Sequence, residues 1–160
     1  MNTKLRLSLL SLWLGVACLF SFVVAPAAFK ALPSRWLAGN VVNRILGVTE
    51  IIGIVVSVVL LLLLLAAKPA RRALWFEGIT LSLMTLAMVL SKFVVSKNLH
   101  SLREQYGEAL STSPALQAVK SVFDGYHQAS VALMSFNLLA TLVLIVYLIR
   151  RPALSGESHV

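Results

Sequence analysis

The sequence predicts an all-α polytopic membrane protein, a bundle of four transmembrane helices. Four long apolar stretches that are almost free of charge lead to this prediction, at residues 7–29, 45–67, 73–95 and 125–149. Each supplies the roughly 20 residues that a helix needs to cross a hydrocarbon layer about 30 Å thick. Composition agrees, because 59% of the residues are hydrophobic and only 12% are charged, unlike a soluble domain. We expect one four-helix domain over residues 1–152 and a short polar tail over residues 153–160.

The first apolar stretch has two interpretations. Lys4 and Arg6 precede it, and Ala25-Pro26-Ala27 follows, as in a signal peptide with a cleavage site. However, the apolar run is longer than the usual core of about 7–15 residues in such peptides, and Pro26 occupies the cleavage position. We therefore expect an uncleaved first helix whose last turn is loosened at Pro26, because proline lacks a backbone N–H.

The limits of the other helices follow from capping residues and prolines. Ser34 is a predicted N-cap for the second helix, and Lys68-Pro69 is predicted to close that helix. Ser113-Pro114 combines an N-cap with proline at the first helical position, so the fourth helix should begin there. Its length to Ile149 is about 50 Å at about 1.5 Å per residue. The third helix extends similarly toward Glu108, so the third and fourth helices should project beyond the outer boundary of the membrane.

Basic residues at the ends of the stretches predict the orientation. One side of the membrane holds short basic flanks, which the positive-inside rule assigns to the cytoplasm. We therefore expect a multi-pass membrane protein with both termini cytoplasmic. The net charge of +8 forms no single basic face, so we expect the cations to meet anionic lipid headgroups of the bilayer and not nucleic acid. The cytoplasmic flanks hold Lys4, Arg6, Lys68, Arg71, Arg72, Arg150 and Arg151, and the other side holds Lys30, Arg35, Arg44, Lys97, Arg103 and Lys120.

Polar residues at membrane depth are the candidate functional groups. An ionised side chain that faces lipid costs about 2.5–3.5 kcal/mol on insertion scales. We therefore expect Glu50 and Lys92 to turn inward and to pair. Polar residues of the second and fourth helices also recur on one face of each helix. The predicted outward-facing polar cluster, which is the candidate ligand site, contains Asn43, Glu50, Lys92, Arg103, His127, Ser130 and Asn137.

Three functions are consistent with this cluster. It could bind or transport a small ligand. It could belong to a haem- or copper-handling membrane redox protein, with His100 and His127 as metal ligands at adjoining helix ends. It could also only hold helices together in a structural assembly partner or homo-oligomer, since interhelical hydrogen bonds average about 0.6 kcal/mol each. The sequence contains no nucleophile elbow, phosphate loop, dinucleotide fingerprint or zinc-protease motif, so an enzyme is expected only as a membrane redox protein.

Short motifs at the predicted helix ends and faces carry a family resemblance. They are Val24-Ala25-Pro26-Ala27-Ala28-Phe29-Lys30, Ala38-Gly39, Arg103, Phe123, His127, Ser130 and Asn137-Leu138-Leu139. With these motifs the chain resembles, over nearly its whole length, the transmembrane protein 205-like family. The resemblance implies a bacterial four-helix membrane domain without an assigned reaction, and a distant similarity to copper-resistance and haem-associated membrane proteins. The chain departs from the family at Ile45-Leu46, where an aromatic residue is common.

Overall fold

A computed structural model of the protein describes residues 3–67 and 71–150, and these form four long helical spans. Each span is long and apolar enough to cross a membrane, and no described residue lies in a β-strand. The predicted all-α four-helix fold class is therefore confirmed. The predicted helix end at Lys68-Pro69, the tail at residues 153–160 and His159 lie outside the described residues. The spans are Thr3–Ala31, Arg35–Ala67, Ala73–Tyr106 and Pro114–Arg150.

Within the spans, most of the chain is regular α-helix. We call the end of the bundle with the turns at residues 32–34 and 107–113 the distal end, and the end with Thr3 and Arg150 the terminal end. Two π-helical turns, Leu19–Val24 and Ser91–Ser96, interrupt the first and third spans. A short 3₁₀ turn, Pro114–Leu116, begins the fourth span. The α-helices are α1 (Thr3–Cys18), α2 (Ala25–Ala31), α3 (Arg35–Ala67), α4 (Arg71–Leu90), α5 (Lys97–Tyr106), α6 (Ala109–Thr112) and α7 (Gln117–Arg150).

Local chemistry explains the irregular turn in the first span, the start of the second span and the end of the third. The ring of Pro26 would clash with a carbonyl one turn earlier in a regular helix. The π turn just before it relieves this clash, and there the Ala25 N–H donates to the carbonyl of Phe20, five residues back. Ser34 is the N-cap of the second span, since its hydroxyl accepts from the Leu37 N–H at 3.2 Å. Gly107 ends the third span with φ 53°, a conformation that a side chain would disfavour.

The four spans pack in a ring, each against its neighbours in sequence and the first also against the fourth. The interior faces show apolar residues at spacings of three and four, the pattern of a helix with one buried face. Outside this core, large apolar side chains are exposed around the bundle, as expected where lipid covers them. The core contains Leu10, Trp13, Ala17 and Phe20 of the first span, Leu46, Leu60 and Leu64 of the second, Leu81, Met84 and Met88 of the third, and Met134, Ala140, Leu144 and Leu148 of the fourth.

Three glycines let the second span approach its neighbours closely. A Cβ atom added to Gly53 would lie 2.7 Å from Cη2 of Trp13 and 3.2 Å from Sδ of Met88. At Gly39 and Gly47 the added Cβ would instead meet the ends of charged side chains from the third span. Small residues allow such close approach of membrane helices. The second span therefore receives side chains from two neighbours at its glycines.

A buried ion pair joins the first and third spans near the terminal end. Arg6 bonds to the Glu77 carboxylate, and the two residues are only 7% and 0% exposed. Arg6, which the sequence places in a short basic flank, is therefore turned into the bundle and not exposed at its end. Arg6 precedes Leu10 by four residues and lies on the same inward face, so the helix turns it into the bundle, where Glu77 neutralises its charge.

We predict that Gly53→Ala destabilises the protein by about 1–3 kcal/mol, the usual cost of overpacking. The new methyl group would collide with the rigid indole of Trp13, which is only 1% exposed and packs in the core. Reversible unfolding in detergent measures the change. Gly15→Ala is the matched control, since an added Cβ there meets nothing within 4 Å. If both variants are as stable as the parent protein, the close packing at Gly53 is refuted.

Candidate functional site

Glu50 is the most deeply buried ionisable group of the predicted cluster, with 0% of its surface exposed. Its Oε1 atom accepts hydrogen bonds from the hydroxyls of Ser91 and Ser96, the second at 2.8 Å. These serines are five residues apart, which puts them on different faces of a regular α-helix. In the π turn Ser91–Ser96, a backbone hydrogen bond joins residues that are five apart, which brings such residues close together on one side of the helix. Both hydroxyls therefore reach the same oxygen. The irregular turn thus builds the receptor for the carboxylate.

Lys92 does not form the predicted ion pair with Glu50. Its ammonium donates to the carbonyl of Gly47 at 3.2 Å, while the two serines bind the carboxylate. The prediction of a direct pair is therefore wrong for the described residues, although Lys92 is close enough for Coulombic attraction. The physical reason is the π turn, which brings the serines on both sides of Lys92 to Glu50 and leaves Lys92 on the neighbouring face.

Two cavities lie one below the other at the distal end. We call the cavity at the very end of the bundle the vestibule, and its volume is about 440 Å³. The apolar cavity lies below it, toward the terminal end, and has about 250 Å³. They share Phe29, Arg103 and His127. The vestibule is further lined by Arg35, Trp36, Gly107, Leu110, Lys120, Phe123 and Asp124. The apolar cavity is further lined by Phe20, Ser21, Phe22, Ala25, Val42, Asn43, Leu46, Leu99, Ser130, Val131, Met134, Ser135 and Leu138.

Arg103 lies where the two cavities meet. Its Nη1 atom donates to the carbonyl of Gly39, and its guanidinium carbon lies 5.0 Å from the centre of the Phe123 ring. A Cβ atom on Gly39 would lie 2.6 Å from Nη2, so only glycine leaves room for this arrangement. Among the described residues, Arg103 has no carboxylate partner. A guanidinium has five N–H donors, and one bond to a carbonyl leaves most of them for a ligand.

The structure divides the predicted cluster into three parts. Asn43, Arg103, His127 and Ser130 all line the apolar cavity. Glu50 and Asn137 lie in the core with 0% exposure, away from the lining of the cavities described above. Lys92 lines a separate groove between the second and third spans.

Asn137 resembles Glu50 in being buried and partly bonded. Its Nδ2 atom donates to the carbonyl of Leu133 at 3.0 Å, within its own helix. Its Oδ1 atom is buried without a hydrogen-bond partner among the described residues. The bond to Leu133 stays within one helix, so it does not explain why an amide lies in the core.

His100 and His127 line different cavities. His127 lies in the vestibule and the apolar cavity, whereas His100 lines the groove with Lys92 and a small neighbouring cavity. Nε2 of His100 is 3.1 Å from Oε1 of Glu104, one helical turn away, and both side chains are exposed. Across residues 3–67 and 71–150, no three His, Cys, Asp or Glu residues are grouped as metal ligands would be. The geometry thus does not bring together the predicted pair of metal ligands.

Sequence reasoning missed several residues of these sites. Ser91 and Ser96 share no face in a regular helix, so only the π turn reveals their common role. Glu77 was accessible to sequence reasoning, because it is an isolated acid inside the third apolar stretch. The contacts of Arg103 with Gly39 and of Lys92 with Gly47 depend on how the second and third spans are aligned. The spacing of residues within one helix does not predict this alignment.

The four spans and the polar groups turned into them define a polytopic membrane protein with a cationic site at one end of its bundle. Residues 8–108 match the family described as "Domain of unknown function (DUF4149)", and the chain belongs to that family. An uncharacterized protein of Aquifex aeolicus (strain VF5) is 37% identical over 103 residues, which cover 64% of this chain and 73% of the relative. No solved structure matches the chain significantly.

Proposed function

We propose that the protein binds a small anionic ligand at the distal end, with Arg103 as its principal contact. The observation that carries this proposal is the position of Arg103, half-buried where two cavities meet, with no carboxylate partner among the described residues. A buried charge without a partner is costly in a protein. An anion that enters the vestibule would neutralise it, and the planar guanidinium binds carboxylate and phosphate groups well.

The two cavities together favour an amphiphilic ligand. The vestibule combines Arg35, Arg103 and Lys120 with one acid, Asp124, so its charge favours an anion. The apolar cavity below is lined mainly by aliphatic and aromatic side chains, which suit a hydrocarbon chain. Asn43 and Ser130 add hydrogen-bonding groups on its wall. We infer a ligand with an anionic head and an apolar body.

Binding is better supported than transport through the bundle. From the apolar cavity toward the terminal end, the interior is filled by side chains with at most 1% exposure. These include Trp13, Leu60, Met84 and Leu144. Such close packing leaves no open path for a solute among the described residues. Haem or copper handling and a role as an assembly partner or homo-oligomer remain alternatives that no contact of the described residues favours.

The resemblance to the transmembrane protein 205-like family is also a proposal. Phe29, Arg103, Phe123 and His127 are among the residues that carry it, and all four line the vestibule. Their convergence on one cavity supports a shared ligand site as the reason for the resemblance. The same proposal includes a bacterial inner membrane as the location, with the termini in the cytoplasm and the vestibule facing outward.

Calorimetry of decanoate binding to the protein in lipid nanodiscs, with empty nanodiscs as the reference, tests the ligand proposal. We predict that the protein binds decanoate and that Arg103→Gln weakens binding at least about tenfold, since hydrogen bonds to charged groups contribute about 1.5–3 kcal/mol. Decanol, which has no charge, should not show this dependence on Arg103.

Gly39→Ala provides a second test in case Arg103→Gln fails to fold. The new methyl group meets only the flexible end of Arg103, so the variant should fold but displace the guanidinium and lose affinity. Gly125→Ala is the matched control, because an added Cβ there meets nothing within 4 Å. Failure of the parent protein to bind decanoate, or equal binding by all the variants, would refute the proposal.

Cysteine labelling in intact cells tests the proposed orientation. Short basic flanks near the terminal end, with Arg71 and Arg150 exposed there, support a cytoplasmic location of that end. On a Cys18→Ala background, we predict that a membrane-impermeant maleimide labels Ala115→Cys but not Thr3→Cys. Both positions are exposed in the structure. Labelling of residue 3 with protection of residue 115 would reverse the orientation.

A further inference from the structure

A second cationic site lies between the second and third spans, on a different side of the bundle from the vestibule. We call it the basic groove. It has a volume of about 560 Å³, and its basic residues are Arg44, Lys92, Lys97 and His100. It shares no lining residue with the vestibule and only Asn43 with the apolar cavity. The proposed ligand site at Arg103 therefore does not account for this groove.

The charges of the basic groove are not neutralised by acids on its walls. No Asp or Glu is among the described residues that line it. Two acids lie nearby, but each already has partners. Glu50 is fully buried and its Oε1 atom is bound by Ser91 and Ser96. Glu104 lies at hydrogen-bond distance from His100. The groove thus carries an excess of positive charge.

Lys92 is held at the inner part of this groove by the second span. Its ammonium donates to the Gly47 carbonyl, and a Cβ atom on Gly47 would come within 2.7 Å of Nζ. An ammonium has three donors, and the carbonyl uses only one of them. The other donors have no hydrogen-bond partner within the described part of the chain, so an anion in the groove can accept from them.

The walls of the basic groove are suited to acyl chains. Val48, Ile51 and Phe93 line it and are 59%, 50% and 64% exposed, respectively. All three lie within the membrane-spanning helices, where an exposed apolar side chain meets lipid. Basic side chains near a membrane surface attract anionic lipid headgroups. A groove with cations and a lipid-facing apolar wall fits a molecule that enters sideways from the bilayer.

We propose that the basic groove binds an anionic phospholipid of the leaflet at the distal end. Lys92, Lys97 and Arg44 contact its phosphodiester, and its acyl chains lie against Val48, Ile51 and Phe93. A water-borne phosphate has the same charge but no apolar part to occupy the exposed wall. The site selects lipids by the charge of the headgroup. It accepts acyl chains of different structure, because the wall offers them only apolar contacts.

Electron spin resonance on the full chain in phosphatidylcholine vesicles tests this proposal. Spin-labelled phosphatidylglycerol and spin-labelled phosphatidylcholine are compared through the fraction of each lipid that the protein immobilises. We expect the parent protein to prefer phosphatidylglycerol several-fold. Lys97→Gln should remove most of this preference, since each basic residue near the surface contributes about 1 kcal/mol, which is a factor of about five. Equal immobilisation of the two lipids by the parent protein would overturn the proposal.

Two further variants separate a defined site from general surface charge. Lys30→Gln removes the same charge from an exposed residue of the distal end that lines neither the basic groove nor the vestibule nor the apolar cavity, so the preference should persist. Gly47→Ala keeps every charge but displaces the Lys92 ammonium, so the preference should fall. Equal losses in Lys97→Gln and Lys30→Gln would overturn the proposal. Displacement of the spin-labelled lipid by soluble glycerol phosphate would also overturn it, because the site would then take a water-borne phosphate.

Discussion

The burial of Glu50 is the constraint on which the arrangement of the second and third spans depends. A carboxyl group with 0% exposure in an apolar bundle needs hydrogen bonds from the protein, because no solvent replaces them. Ser91 and Ser96 supply these bonds, and the π turn between them is the geometry that lets both reach one oxygen. The same turn leaves Lys92 facing Gly47 instead of Glu50. One buried acid thus accounts for an irregular helix and for the position of a cation.

Two cations of the third span, Arg103 and Lys92, are bound by backbone carbonyls and not by acids. Arg103 donates to Gly39 and Lys92 donates to Gly47, and each glycine leaves the space that the side chain needs. A carbonyl accepts only one of the N–H donors of each cation, so both groups have donors left for another partner. By contrast, Arg6 is paired with Glu77 in the core. The proposed ligand and lipid sites follow from this difference between held and neutralised cations.

Sequence reasoning predicted the four-helix fold, but only part of the candidate cluster lines one cavity. Hydropathy predicted the four spans because a bilayer requires long apolar helices, and Ser34 was recognisable as a cap from local chemistry. Helical spacing also brought Asn43, His127 and Ser130 to one cavity. It failed for Glu50 and Lys92, since a π turn shifts the face of every residue near it. The cavities at Arg103 depend on the alignment of neighbouring helices, which no single-helix periodicity contains.

A double-mutant cycle on Glu50 and its two serines tests the central claim most directly. Reversible unfolding in detergent gives the stability of Glu50→Leu, of Ser91→Ala combined with Ser96→Ala, and of all three changes together. The serine changes should be more costly when Glu50 is present, with a coupling energy of about 1–3 kcal/mol. Strictly additive effects would contradict the account, because the serines would then contribute nothing to holding the buried carboxyl group.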